Sequence, residues 1–263
     1  MAIRVVVSGT GNMGRAVLAG VAAEPDFEPV GVLEKLSSDP EAALPGGGAV
    51  PLSADPPALL DQTKPDVIID FTNAEWTPQI APAALDRGVR LVIGTTGLSD
   101  EWLDALERSC RERGVGAVIA ANFAIGAVLM IHMAKIAGRF FDSAEIIELH
   151  HDRKVDAPSG TALTTAKEML SARGRPFDRN VPELTPLADT RGGQLDGITI
   201  HSVRLPGLVA HQEVLFGGLG QTLSIRHDTT GRDAFIPGVL LAAREVMRRK
   251  ELVRGLEALV GLD

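Results

Sequence analysis

Ile3-Arg4-Val5-Val6-Val7-Ser8-Gly9-Thr10-Gly11-Asn12-Met13-Gly14 sets an unalternated, β-branched run directly against three spaced glycines. Such a run reads as a strand covered on both faces, and a helix-period stretch from Met13 to Ala23 follows it. A glycine pattern alone is weak, and it gains meaning from lying between a strand and a helix. In that setting Gly9 permits the tight turn, Gly11 lets the backbone approach a pyrophosphate, and Gly14 lets the helix pack close to the sheet. With Thr10, Asn12 and Met13 these glycines make the expected dinucleotide loop, its free N–H groups aimed at phosphate. The bland alternative is a strand-to-helix turn that binds nothing.

Working outward, further apolar runs at Pro29–Leu33, Asp66–Phe71, Arg90–Gly94 and Gly116–Ala121 alternate with helical stretches at Thr77–Arg87 and Asp100–Arg113. That alternation predicts a doubly wound parallel α/β sheet of the Rossmann type. Glu34 ends the second strand, twenty residues after Gly14, where a carboxylate accepts from adenosine ribose hydroxyls. This spacing points to NADH. Lys35 beside it offers an ammonium to a 2′-phosphate, so NADPH stays open. Asp70-Phe71-Thr72, Gly94-Thr95-Thr96-Gly97 and Ala120-Ala121-Asn122-Phe123 all close strands at the carboxyl edge, where open α/β sheets bind ligands.

After Phe123 the character changes. A helix at Ile125–Ala137 leads to a strand at Ala144–Leu149 and a helix at Ser159–Arg173. Gly174–Asp196 reads as a long polar loop. Alternating runs at Ile198–Arg204, Ala210–Phe216 and Gln221–Arg226 read as antiparallel strands with one polar face. A last helix at Ala234–Arg249 returns to the first domain. The expected division is therefore 1–124 plus 233–263 for the dinucleotide, and 125–232 for a second α+β domain with an open mixed or antiparallel sheet.

The 263 residues, 45% hydrophobic, can bury a sizeable core. A net charge of −8 argues against nucleic acid as the main partner. No apolar run reaches the roughly 18–20 residues that span a bilayer, and the N-terminus is too short for a signal core. Cys110 is the only cysteine, which precludes an intrachain disulfide and a cysteine metal cluster. Both fit a cytoplasmic protein.

The chemistry concentrates in Glu148-Leu149-His150-His151-Asp152-Arg153-Lys154-Val155-Asp156-Ala157-Pro158-Ser159-Gly160-Thr161-Ala162. His150, His151 and Lys154 gather just past a strand end, beside a turn that opens a helix. Ser159, Gly160 and Thr161 present hydroxyls and N-terminal N–H groups, which suit a carboxylate. Asp156 and Ser159 read equally well as helix caps. Adjacent histidines on an extended segment point opposite ways, so no metal-ligand spacing results. Acid–base work by His150 and Lys154, or recognition of a dianionic substrate, fits better.

This segment resembles the signature of the dihydrodipicolinate reductase family, and the likeness extends over nearly the whole chain. It runs through Asp70-Phe71-Thr72, Ile93 to Gly97, Ala120 to Phe123, His201-Ser202-Val203-Arg204-Leu205-Pro206-Gly207, Gly207 to Glu213, and Arg226-His227-Asp228. The resemblance implies reduction of 4-hydroxy-tetrahydrodipicolinate with NADH or NADPH, in diaminopimelate and lysine synthesis. It implies His150 as proton donor or acceptor with Lys154 as its partner. His151, Lys154, Ser159, Gly160 and Thr161 would hold the two substrate carboxylates. Phe71, Gly94, Thr95, Thr96, Ala120, Ala121, Asn122 and Phe123 would line the nicotinamide end of the cofactor. It also implies a second domain that closes over the cofactor and whose open sheet builds a homotetramer.

One departure stands out. The family's usual loop, Gly-Ala-x-Gly-Arg-Met-Gly, is one residue longer and carries an arginine, and Arg15 after the last glycine points elsewhere on the turn. Altered cofactor affinity or preference is the expected consequence. Two other functions remain open from the residues: an NAD(P)-dependent amino- or diamino-acid dehydrogenase of similar build, and a non-catalytic nucleotide-binding protein.

Overall fold

Runs of valine, isoleucine and leucine with no polar interruption form the central strands, because parallel strands are covered on both faces. The computed structural model describes all residues except Asn180, Asp189 and Asp263. In chain order the elements begin with β1 (Ile3–Ser8), α1 (Asn12–Ala23), β2 (Phe27–Leu33), β3 (Glu41–Ala43), β4 (Ala49–Ser53) and α2 (Pro56–Thr63). Next come β5 (Val67–Asp70), α3 (Thr77–Leu85), β6 (Arg90–Ile93), α4 (Asp100–Arg113), β7 (Ala117–Ile119) and α5 (Ile125–Ala137). The remainder are β8 (Ser143–His150), α6 (Gly160–Arg173), β9 (Gly193–Leu195), β10 (Ile198–Arg204), β11 (Ala210–Gly218), β12 (Gln221–Thr229), α7 (Ile236–Val246) and β13 (Leu252–Arg254).

The chain divides into two compact units, Met1–Ile125 with the segment from Arg232 onward, and Gly126–Gly231. Of the segments expected from sequence, part of the Gly174–Asp196 loop (Asn180 and Asp189) and the last residue of 233–263 lie outside the described residues.

In the first unit the strand order is β13-β7-β6-β5-β1-β2-β4-β3, parallel throughout except for the β3–β4 hairpin. From β1 the chain moves one way to β2 and later the other way to β5, so the topological switch point lies between β1 and β5. Ligands of such sheets bind outside the carboxyl ends of the strands there. Val5, Val6, Val7, Ile68, Ile69, Val92 and Ile93 are fully or almost fully buried. β3, β4, α2 and β13 escape a reading by periodicity. β4 is interrupted by Pro51, α2 opens on Pro56-Pro57, and β3 and β13 are three residues each. Asp55 nonetheless caps α2, its carboxylate accepting from the Ala58 N–H at 3.0 Å. Cys110 is buried in this unit, and burial pushes its thiol up to about 11, which makes it a packing residue and not a nucleophile.

The second unit carries the sheet β12-β11-β8-β10-β9. β11 runs antiparallel to β8 and β12, and β9 antiparallel to β10, but β10 runs parallel to β8. The sheet is thus mixed, one of the two forms expected, although β10, expected among the antiparallel strands, runs parallel to β8. Alternation reports which face is wet and carries no information on strand direction. The loop expected over Gly174–Asp196 also contains β9. Ala144, Ile146, Ile200, Val214 and Phe216 pack on one face against Ala134 of α5 and Ala162, Ala166 and Met169 of α6. The alternate residues Ile147, Leu149, Val203 and Leu215 lie half-buried.

Arg173, at the end of α6, holds this unit's connections together. Its side chain is 2% exposed, and the guanidinium donates to the carbonyls of Phe141 at 2.5 Å, Gly138 at 3.3 Å and Pro176 at 3.3 Å. It also pairs with Asp142 at 2.5 Å and lies over the Phe177 ring at 4.7 Å. Arg173→Ala strips these carbonyls of their donor and is expected to cost about 3 kcal/mol. Urea unfolding checks this, and an unchanged midpoint would show the carbonyls to be satisfied otherwise.

Candidate active site

Along the carboxyl edge of the first sheet, each post-strand turn is tied to the last carbonyl of its neighbour. The Gly9 N–H donates to Leu33 at 2.8 Å, Phe71 to Ser8 at 3.2 Å, Gly94 to Asp70 at 2.9 Å and Ala120 to Ile93 at 3.1 Å. The four turns singled out from sequence therefore lie side by side. Gly9 sits at φ +101°, a region open chiefly to glycine. A Cβ on Gly14 would lie 1.8 Å from the Gly9 carbonyl oxygen, so the loop folds directly on the helix start. A Cβ on Gly11 would meet no atom within 4 Å, and Gly11 precedes the first turn of α1. This open cradle at a helix N-terminus, walled by backbone N–H groups, fits a pyrophosphate.

Glu34 reaches the same loop. Its Oε2 accepts from the Thr10 N–H at 2.9 Å and the Thr10 hydroxyl at 2.6 Å, and its Oε1 from the Leu36 N–H at 3.0 Å. Partial burial works to raise this carboxyl, but those hydrogen bonds outweigh it and hold the group below its usual range. An ionised carboxylate with lone pairs to spare is what a ribose diol requires. Lys35 is exposed, with Nζ 5.7 Å from the Trp76 ring centroid. The Arg15 guanidinium donates to Asn12 Oδ1 at 3.1 Å, and the Met13 side chain is half-buried.

The other turns are organised by a buried carboxylate that sequence reasoning named only as part of a turn. Asp70, 1% exposed, accepts from the hydroxyls of Thr72 at 2.7 Å, Thr77 at 2.5 Å and Thr95 at 3.1 Å. Thr95 in turn accepts from the Thr72 N–H at 3.1 Å. The Thr95 hydroxyl is thereby committed to the scaffold, while Thr96 and Ala121 are exposed and Ala120 is buried. Phe71 and Phe123 pack with centroids 5.5 Å apart and ring planes inclined at 60°, Phe123 being almost fully buried, and the Phe71 ring lies where a Cβ on Gly94 would be. Asn122 accepts from the Ala124 N–H at 2.8 Å.

In the second unit β8 delivers Glu148 and His150 to its carboxyl end on one face, two residues apart. Glu148 is completely buried. Its Oε2 lies 2.5 Å from His150 Nδ1. Arg204, at the end of β10 and in register with His150, grips both oxygens at 2.7 and 2.9 Å. The Ser159 N–H adds a fourth contact at 3.2 Å. Burial works to raise the Glu148 carboxyl, yet the hydrogen bonds from Arg204, Ser202 and His150 prevail and keep it ionised. His150 is pushed below its ordinary value, first by burial and also by the charges of Lys154 and Arg204, against the upward pull of Glu148.

Arg204 also donates to the Asp156 carbonyl at 2.8 Å, which fastens the segment between β8 and α6. On that segment Lys154 pairs with Asp156 at 2.7 Å and keeps further N–H donors. His151 has a buried Nδ1 with no hydrogen-bond partner among the described residues. Ser159 is the N-cap of α6, its hydroxyl accepting from the Ala162 N–H at 3.2 Å, so its hydroxyl is engaged in capping. The N–H groups of Gly160 and Thr161, in the first turn, have no partner within the helix. The segment thus carries an ammonium and runs into a helix start with free N–H groups, which are groups that suit an anion. Among the described residues there is no group of His, Cys, Asp and Glu arranged to hold a metal, and no helix long and apolar enough to cross a membrane.

Glu148 and Arg204 are the parts of this site to which sequence reading assigned no role. A basic residue ending an alternating strand, just before Leu205-Pro206-Gly207, was the available signal for Arg204. Its partner could not be named without the β8–β10 register.

A Rossmann sheet with a glycine-loop cradle, joined to a unit that carries a buried acid–base cluster, defines a two-unit nicotinamide-dependent oxidoreductase. Models of the N-terminal and C-terminal parts of dihydrodipicolinate reductase match residues 3–123 and 126–260. The 4-hydroxy-tetrahydrodipicolinate reductase of Dehalococcoides mccartyi (strain CBDB1) is 50% identical over 262 residues, 99% of each chain. The dipicolinate-bound dihydrodipicolinate reductase of Paenisporosarcina sp. TG-14 is 41% identical with a TM-score of 0.89, covering 98% of this chain and 99% of that one. This chain belongs to the dihydrodipicolinate reductase family, and it is an NAD(P)H-dependent oxidoreductase. An amine dehydrogenase from Mycobacterium smegmatis, at 15% identity and a TM-score of 0.67 over 96% of this chain and 95% of that one, shares the fold alone.

Proposed function

We infer that this chain reduces 4-hydroxy-tetrahydrodipicolinate to tetrahydrodipicolinate, in the route to diaminopimelate and lysine. The observation that carries the reading is the His150–Glu148–Arg204 cluster beside the open start of α6. In the net reaction the substrate and NAD(P)H take up one proton and release tetrahydrodipicolinate, NAD(P)⁺ and water. The bound nicotinamide supplies the hydride. His150 supplies the proton, and Lys154 assists water loss or carboxylate binding. His151, the Gly160 and Thr161 N–H groups and the Lys154 ammonium hold the two carboxylates; Ser159 shapes that helix start as its cap.

Residues 1–124 with the C-terminal segment from 233 bind the dinucleotide, through Gly9 to Gly14, Glu34 and Lys35, and through the turns at Phe71, Gly94 to Thr96 and Ala120 to Phe123. Residues 125–232 bind the substrate, and the half-buried face of their sheet, with Ile147, Leu149, Val203 and Leu215, suits assembly into a homotetramer. The single cysteine accords with work in the cytoplasm.

The test couples the protein to the synthase that makes the hydroxylated substrate and follows nicotinamide absorbance with each cofactor. Turnover is expected with both, with kcat/KM for NADH at least equal to that for NADPH, because Glu34 suits an unphosphorylated ribose and Lys35 is drawn onto Trp76. No consumption above background, while a control reductase works, sinks the activity. A strong NADPH preference instead sinks the ribose role of Glu34.

A further inference from the structure

His150 presents two nitrogens, and only one can face a substrate. Its Nδ1 is turned inward onto Glu148 Oε2 at 2.5 Å, and the ring is 14% exposed. Glu148 is 0% exposed, so it takes no part in binding directly. Arg204 holds both its oxygens, and the Ser159 N–H holds Oε1 from the other side. A carboxylate so fixed accepts and cannot donate. It therefore holds a proton on Nδ1 and leaves Nε2 as the working nitrogen.

Resting on the reading of His150 as the proton donor, we propose that Glu148 is a positioning residue that selects the Nδ1–H form of His150, with Arg204 as the clamp that immobilises it. The same carboxylate joins three parts of the site. It orients His150 on β8, it is bonded to the residue that opens α6, and through Arg204 it is linked to the Asp156 carbonyl of the segment bearing Lys154. The charged groups facing His150 are Glu148 on its own strand, Lys154 on the following segment and Arg204 on β10, while β11 places uncharged Ala210 opposite. Only Glu148 stabilises the imidazolium. The two cations oppose it, so His150 gives up its proton readily once the substrate needs it.

Glu148→Gln keeps the shape and removes the charge. Its amide can donate to Nδ1 and stabilise the opposite tautomer, as an amide does when it replaces the carboxylate behind a catalytic histidine. The expected result is a fall in kcat of about 10²-fold or more with KM changed far less. The alkaline limb of the kcat profile should move to lower pH, because loss of the carboxylate makes the imidazolium easier to deprotonate.

An unpaired Arg204 could instead unfold the variant, so ¹⁵N NMR of the wild-type imidazoles provides the second measurement, with His150 assigned by its loss in His150→Asn. The neutral ring should carry its proton on Nδ1. A wild-type Nε2–H form overturns the assignment, as does a folded Glu148→Gln with unchanged kcat and pH profile. The underlying reading fails separately: normal turnover in His150→Ala removes His150 as proton donor and leaves the tautomer result intact.

Discussion

His150→Ala is expected to lower kcat by about 10²-fold or more, the usual scale for removing a positioned acid or base. The ring sits at the end of β8, with Nδ1 committed to a buried carboxylate and its ordinary pKa lowered mainly by burial. Such a group is protonated in a smaller fraction of molecules at neutral pH than an exposed histidine. A wild-type profile should therefore lose activity as pH rises through a value below the ordinary one for histidine, and the alanine variant should lose that limb altogether. Steady-state rates at saturating cofactor across pH 5–9 check both points. Because the side chain is partly exposed and lies outside the main apolar cluster of its unit, folding should persist, and circular dichroism separates lost chemistry from lost structure.

Gly14→Ala should be as damaging for a different reason. The added Cβ would stand 1.8 Å from the Gly9 carbonyl oxygen, and backbone cannot move aside as a flexible side chain can. Gly9 is itself confined, since a Cβ there would lie 3.1 Å from the Phe71 carbonyl and from the Thr72 methyl. The loop must then lift off the helix start, which disperses the N–H groups proposed to meet the phosphates. KM for both nicotinamides should rise by at least about tenfold, equivalent to about 1.4 kcal/mol of lost binding. Thermal stability should fall with it. Gly11→Ala separates the two effects, because its Cβ meets open space and its φ of −66° suits alanine. That variant should keep its Tm and lose cofactor affinity alone. Wild-type affinity retained in both variants would remove the loop from cofactor binding.

Much of the first unit could be read from residue order because its cause is local. Unbroken valine and isoleucine runs, a strand–glycine–helix succession and Glu34 at the next strand end are short-range patterns, and the structure realises each of them. What escaped were elements whose local signals conflict with their state: the proline-bearing β4 and α2, and the three-residue β3 and β13. Helix α4 has the expected span, Asp100–Arg113, and in the structure Ser99 caps its start and Gly114 ends it in the left-handed conformation.

The donor-rich segment from Glu148 to Thr161 was legible as a place of chemistry, since so many cations and a helix start within fourteen residues have few structural uses. Its internal order was not. Ser159 spends its hydroxyl on a cap, and Asp156 pairs with Lys154, which are choices between equally plausible partners a few residues apart.

By itself, then, the sequence determined a Rossmann-type dinucleotide fold and marked the segment from Glu148 to Thr161 as a place of chemistry, because strand period, glycine spacing and residue type act over a few neighbours. Tertiary structure alone decided that β10 runs parallel to β8 and that Arg204, 56 residues beyond Glu148, closes on it. Strand alternation is the same in either direction, and a buried charge finds its partner through the register of the sheet and not through distance along the chain.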